Sequence, residues 1–288
     1  MSFEIITDSS ANLPQEFIEK NNIHILSLSY FVEEEEFSSY IPGEENNLTY
    51  FYKKMREKAH IRTSLVNVDK ASKIIGELLE KGKDILYIGF SSALSGTFQS
   101  VSLACSDLGE KYPKAKIMCI DTLSALLGEG LLVMNACRLR EEGKSMEETA
   151  KWVEDNKMKM CHWVAADDLF YLKRGGRIST TAAVFGSALS VKPIIRVDET
   201  GSLQVFDKTR GRKKALDELI HHMRETVENP EQQIMGVAHA DCENDALYIK
   251  EKLEEFNPKD IIIESMEPVV ASHTGPGCIA IFFLGTNR

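Results

Sequence analysis

Short β-prone apolar runs alternate with polar turns and helical patterns along most of this chain, and that alternation limits the folds open to it. Residues 3–7, 23–28, 85–90 and 117–120 are runs of strand length, too short to be core helices. Asp69 is expected to cap a helix over 70–81 that stops at Gly82. Phe98, Val101, Cys105 and Leu108 share one face of a helical pattern. A long helix is expected over 125–142, and Ser145 and Glu148 have capping-box spacing at the start of another over 146–157. Strands that alternate with helices in this way imply a mostly parallel sheet covered by helices.

From about Cys161 the pattern changes. A short helix should end at Gly175-Gly176, followed by a small-residue helix over 180–189. The runs 192–197 and 203–206 are separated only by 198–201, too short for a crossover, so they read as a hairpin. Two β/α units come next, 233–237 with 243–256 and 260–264 before a closing strand over 278–284. The expectation is an α/β chain of two closely packed domains, 1–157 and 158–288, bridged by the helix at 146–157. The segment 33–47, with four consecutive glutamates and a Pro-Gly, reads as an exposed loop.

Composition removes several functions. A net charge of −10 is the wrong sign for non-specific nucleic-acid binding, which needs a basic footprint. No apolar run approaches the roughly 20 residues that cross a bilayer, so no stable membrane insertion is expected. The N-terminus has no basic stretch followed by a long apolar one, and the six cysteines (105, 119, 137, 161, 242, 278) lie singly, as reduced thiols of a cytoplasmic protein would. Cys161-His162 and His239-Ala240-Asp241-Cys242 fit no standard zinc spacing, and no phosphate-binding glycine loop of either common type is present. Neither metal nor cofactor is expected.

Three hydroxyl- or glycine-rich segments stand where strands should end: Thr63-Ser64, the run Ser91-Ser92-Ala93-Leu94-Ser95-Gly96-Thr97, and His273-Thr274-Gly275-Pro276-Gly277. Ligands of open α/β sheets bind outside the carboxyl ends of the strands, where hydroxyls and helix N-terminal N–H groups suit an anion. The same residues would serve equally as caps and turns. A serine hydrolase is the alternative, since Gly89-Phe90-Ser91-Ser92-Ala93 sits on a strand-to-helix turn with an Asp and His273 downstream. Against it, Ala93 replaces the second glycine of the elbow, and no oxyanion loop precedes it. Lys173-Arg174-Gly175-Gly176-Arg177 is a concentrated positive spot that Arg210 could extend, or a helix C-terminus with favourable charges.

Taken in order, these segments resemble the DegV family of bacterial fatty-acid-binding proteins. The resemblance rests on 8–14 (Asp-Ser-Ser-Ala-Asn-Leu-Pro), Thr63-Ser64, 91–97, 168–178, Lys192-Pro193-Ile194-Ile195 and 273–277. It implies a two-domain DegV-like fold with a long-chain fatty acid in a tunnel between the domains. It implies a non-catalytic carrier that presents the acid's carboxylate to a fatty acid kinase for acyl-phosphate formation and phospholipid synthesis. By motif position, Thr63 and Ser95 would bind the carboxylate with His273 close by; Ser64, Ser92, Gly96 and Thr274 are weaker candidates. Arg174, Arg177 and Arg210 would face the kinase. Leu65-Val66-Asn67 departs from the Gln-Pro-Ser that commonly follows the family's Thr-Ser.

Overall fold

The structure is a computed structural model that describes residues 3–167, 169–178 and 191–288, so the helix expected over 180–189 lies outside the described residues. Strands β1 (Glu4–Asp8) and β2 (His24–Leu26) flank helix α1 (Gln15–Lys20). A small antiparallel sheet follows, with β3 (Ser29–Val32) between β4 (Glu35–Ser38) and β5 (Ile61–Ser64) and helix α2 (Leu48–Arg56) in the β4–β5 connection. After α3 (Val68–Glu80) come β6 (Ile85–Gly89), α4 (Thr97–Lys111) and β7 (Ile117–Asp121). These complete an all-parallel sheet in the order β2-β1-β6-β7. Every residue of β6 is buried, as a central parallel strand covered on both faces requires.

Helix α5 (Leu127–Glu141) is buried through most of its length, and α6 (Met146–Asn156) carries the expected Ser145–Glu148 capping box. The remainder forms one mixed six-stranded sheet, from β8 (Met160–Ala165), β9 (Val191–Val197), β10 (Leu203–Arg210), β11 (Ile234–His239), β12 (Asp260–Ser265) and β13 (Ile279–Leu284), in the order β10-β9-β8-β13-β11-β12. The short helix α7 (Phe170–Arg174) lies between β8 and β9 in the chain, α8 (Arg212–Thr226) and α9 (Glu243–Glu254) cover one face, and α10 (Pro268–Thr274) leads into β13.

Two local expectations change. Asn67 caps α3, its side chain accepting from the Lys70 N–H at 2.8 Å, and Asp69 sits inside the first turn. Asn67 is extended and positioned to cap, whereas Asp69 is already helical. The acidic stretch is not all loop, because Glu35–Ser38 pairs with β3. Its Phe37 stacks on Tyr30 at 5.2 Å, giving the strand one apolar face while its glutamates stay in water.

The parallel sheet is tied to α5 by buried acids. Asp8, at the end of β1, accepts from Ser10 N–H (3.1 Å), Ser10 Oγ–H (2.5 Å), the Tyr87 hydroxyl (3.0 Å) and Phe90 N–H (3.1 Å). Glu129, on α5, accepts from the Thr7 hydroxyl at 2.8 Å, and its other oxygen lies 2.9 Å from Ser10 Oγ. A serine hydroxyl has one hydrogen to donate, so it cannot serve both acids. Asp8 already accepts from three other donors, which leaves Glu129 as the protonated partner that donates to Ser10 Oγ. Burial, reinforced by the charge of Asp8, pushes the Glu129 carboxyl well above its ordinary range.

Glu129→Gln, which reproduces a protonated glutamate's donor and acceptor, is expected to stay within about 1 kcal/mol of the parent. Asp8→Asn places an NH2 among N–H and O–H donors and should cost roughly 3 kcal/mol or more. Urea unfolding of both variants checks the assignment; equal losses would mean the proton lies elsewhere.

Candidate functional site

Strand periodicity builds the site. His162 and Val164 of β8, Ile195 and Val197 of β9, Leu203 of β10, and Ala280 and Phe282 of β13 all point to one face of the six-stranded sheet and line a cavity. The alternate residues Trp163, Ala165, Ile194, Ile279, Ile281 and Phe283 face the other way, into the core under α8 and α9. Phe90, Leu94, Ala125 and Leu126, from loops after β6 and β7, close the cavity from the carboxyl edge of the parallel sheet. About 1030 Å³ lies within it, counting the part open to solvent.

Pairing fixes the cavity's two ends. Val197, His162 and Phe282 form one row across the sheet, with Leu203 opposite Val197. Cys278, just before β13, stands at the other end, four residues and roughly 13 Å from Phe282. Apart from His162, the polar lining residues gather at the Cys278 end, where α10 delivers His273 and Thr274.

At that end Thr63 Oγ1 lies 2.9 Å from His273 Nε2. Ser95 Oγ lies 2.9 Å from Thr97 Oγ1 and accepts from the Thr97 N–H at 3.2 Å. His273 packs against Gly175, where a Cβ would come within 2.2 Å of its Nδ1. Burial, with Arg177 and Arg174 adding repulsion, holds its pKa down to about 4, so the imidazole is neutral at pH 7. His162 is built alike. Its Nδ1 donates to the Met160 carbonyl at 3.0 Å, its Nε2 accepts from Ala125 N–H at 3.4 Å, and burial lowers it to about 3. A Cβ on Gly128 would come within 2.0 Å of that Nε2.

Thr63, Ser64, Ser95, Gly96, His273 and Thr274 therefore all line one cavity, although 210 residues separate Thr63 from His273. Ser92 does not line it, and its N–H donates to Asp121 Oδ1 at 3.2 Å. Ser91 is buried, with its hydroxyl donating to the Gly201 carbonyl at 2.9 Å. No hydrogen bond joins it to His273, so the hydrolase arrangement is not assembled among the described residues. Of the basic residues, Arg177 turns inward to line the cavity, its Nε donating to the Leu94 carbonyl at 3.1 Å. Arg174 is exposed, its guanidinium 5.7 Å from the Phe170 ring centroid and 5.1 Å from that of Tyr171. Arg210 is exposed at the end of β10. Leu65, the departure noted in the sequence, lines the cavity beside Gly96 and is 42% exposed. Residues 161–162 and 239–242 form no metal cluster, and none exists among the described residues. Nor is any helix among them long and apolar enough to cross a membrane.

The family model described as "Uncharacterised protein, DegV family" matches residues 2–286. A DegV domain-containing protein of Clostridium perfringens is 44% identical over 99% of this chain and 98% of its own length. A DegV domain-containing protein of Streptococcus pyogenes is 35% identical over 100% and 99%. Among solved structures, one described as fatty acid binding of a DegV family protein from Thermus thermophilus superposes with a TM-score of 0.89 at 26% identity, covering 99% of this chain and 100% of that one. DegV from Bacillus subtilis, described as a fatty acid binding protein, gives 0.85 at 29% identity over 99% and 100%.

The neutral state of His273 has a consequence for stability. Its folded pKa, about 4, lies below the unfolded value of 6.5, so between those pH values the unfolded chain takes up a proton that the folded chain refuses. This contribution is intact above pH 6.5 and is lost as pH falls toward 4. The unliganded parent should lose up to about 1.4 kcal/mol per pH unit relative to His273→Asn across that window, read from urea midpoints at matched pH.

Proposed function

The chain belongs to the DegV family, and from that membership we propose that it is a non-catalytic carrier of one long-chain fatty acid. The observation that carries this reading is the cavity itself: among the described residues it is apolar along the sheet face except for the neutral His162, and its hydroxyls, His273 and Arg177 gather at one end. Burying methylenes is worth about 0.8 kcal/mol each, so a long acyl tail supplies a large gross free energy, of which ordering costs remove part. A carboxylate buried without partners would cancel much of that gain. Thr63 and Ser95 supply hydroxyl donors, and His273 can take up a proton beside the incoming charge. Arg177, at the same end, adds a positive charge that the sequence reading assigned to an outer surface. The DegV proteins of Thermus thermophilus and Bacillus subtilis, described as fatty acid binding, support the same ligand class.

We read the ligand as lying between two domains, 1–157 and 158–288, with its carboxylate presented to a fatty acid kinase that forms an acyl phosphate for phospholipid synthesis. Arg174, exposed beside the polar end, suits docking of an acidic partner, and Arg210 is a further candidate. Charge pairing of this kind speeds association and weakens with salt. Arg174→Glu should leave acid binding intact and slow kinase-dependent phosphorylation of the bound acid, most strongly at low salt.

Organic extraction of the purified protein followed by mass spectrometry should return roughly one free fatty acid per chain. A protein that is empty, and that takes up none of a series of labelled C14–C18 acids, is not a carrier. Ser95→Ala should weaken binding by about 1–3 kcal/mol, and Thr63→Val by a comparable amount. A bound carboxylate should also raise the His273 pKa from about 4, so binding near pH 5 should take up a proton. Calorimetry in two buffers of different ionisation enthalpy reads that proton directly.

A further inference from the structure

Arg288 makes more hydrogen bonds than any surface role would need. Its Nη1 donates to the carbonyls of Leu123 (2.7 Å) and Asp198 (3.3 Å). Its Nη2 reaches the Thr122 carbonyl (3.1 Å), Ser124 Oγ (2.9 Å) and the Lys157 carbonyl (2.8 Å). Five acceptors from three separate segments converge on one half-buried guanidinium. Three of the five belong to the loop after β7.

That loop is unusual in its backbone. Leu123 has φ 52° and Leu126 has φ 51°, and Leu126 pairs it with ψ −143°. A bulky side chain rarely adopts positive φ, and such conformations cost of order 1–3 kcal/mol each unless the surroundings enforce them. The loop also makes part of the cavity. Ala125 and Leu126 line it, and the Ala125 N–H on His162 places them over the row Leu203–Val197–His162–Phe282. That row is the end of the cavity remote from His273.

We propose that Arg288 is a positioning residue for acyl-chain length: by holding loop 122–126 in its strained form, it fixes the wall that stops the tail. The proposal rests on the carrier reading. A guanidinium suits the task because its planar fork presents several N–H groups at fixed angles, whereas an ammonium is a single point that cannot span Leu123, Lys157 and Asp198 together. Released from Arg288, the loop would relax toward ordinary φ values, and Leu126 would leave the end wall. Longer tails would then fit.

The test is a competition among saturated C12–C20 acids, with bound species quantified by native mass spectrometry for the parent, Arg288→Lys, Arg288→Ala and Leu126→Gly. The parent should show a cut-off in chain length. Arg288→Ala should raise the ratio of the longest to the shortest acid bound by roughly tenfold or more, since one methylene of fit is worth that much. Arg288→Lys should resemble Arg288→Ala, because restoring charge without the fork restores nothing. Leu126→Gly, which tolerates positive φ and removes the side chain from the wall, should shift the profile the same way without needing Arg288 to change.

Arg288 variants that melt earlier but keep the parent's profile show a purely structural arginine and overturn the proposal. So does an unshifted Leu126→Gly, which would place the end wall elsewhere. A parent that binds acids of every length equally well has no stop to position and overturns it too. A parent that binds no acid at any length overturns the carrier reading, and the length claim falls with it.

Discussion

Every segment that reaches the cavity from the parallel sheet is anchored, directly or at one remove, on the Asp8 carboxylate. Its four donors come from the turn after β1, from Tyr87 within β6 and from Phe90 at the start of the loop after β6. Through Ser10 the same carboxylate is joined to Glu129 and hence to α5. The loop after β7 is added by backbone bonds, Ser91 N–H to the Ser124 carbonyl at 2.9 Å and Thr122 N–H to the Gly89 carbonyl at 3.1 Å. A buried charge is tolerated when its hydrogen bonds are complete, and once complete it is costly to disturb. The rigidity of the cavity's edge follows from that cost.

Hydroxyls and two neutral histidines supply the cavity's polar character, because burial keeps both imidazoles unprotonated. The two histidines stand at opposite ends and each lies against a glycine, Gly128 or Gly175, where any side chain would collide with the ring. A neutral imidazole costs less to bury in the empty protein than a charged one. It can still become charged when an anion arrives, since a nearby negative charge favours the imidazolium. Arg177 supplies the fixed positive charge at that end, held on the Leu94 carbonyl of the same loop that carries Ser95.

The sequence made the strand and helix order legible, along with the hairpin β9–β10 and the capping box, because each depends on residues a few positions apart. Asp8-Ser9-Ser10 was visible as a turn signal, but its partner Glu129 was hidden inside a helix whose periodicity marks it only as one more helical residue. The small sheet β3–β5 was missed because the glutamates of β4 mask its one aromatic residue, Phe37, which packs on Tyr30 and Tyr50. Arg288 gave no signal, since its acceptors are backbone carbonyls, and any residue type can supply those.

What the sequence determined by itself was the set of elements and the hydroxyl, glycine and histidine groups available at strand ends. Periodicity and capping are local, and a single chain displays them without being folded. Only the tertiary structure decided that Thr63 and His273 meet, that Ser92 stays out, that Arg177 turns inward while Arg174 faces water, and that Leu126 closes the far end. Those outcomes depend on how the two sheets are set against each other and on which face of each strand looks into the gap. A one-residue change of register would exchange the lining residues for the core residues behind them, and strand composition alone cannot choose between the two.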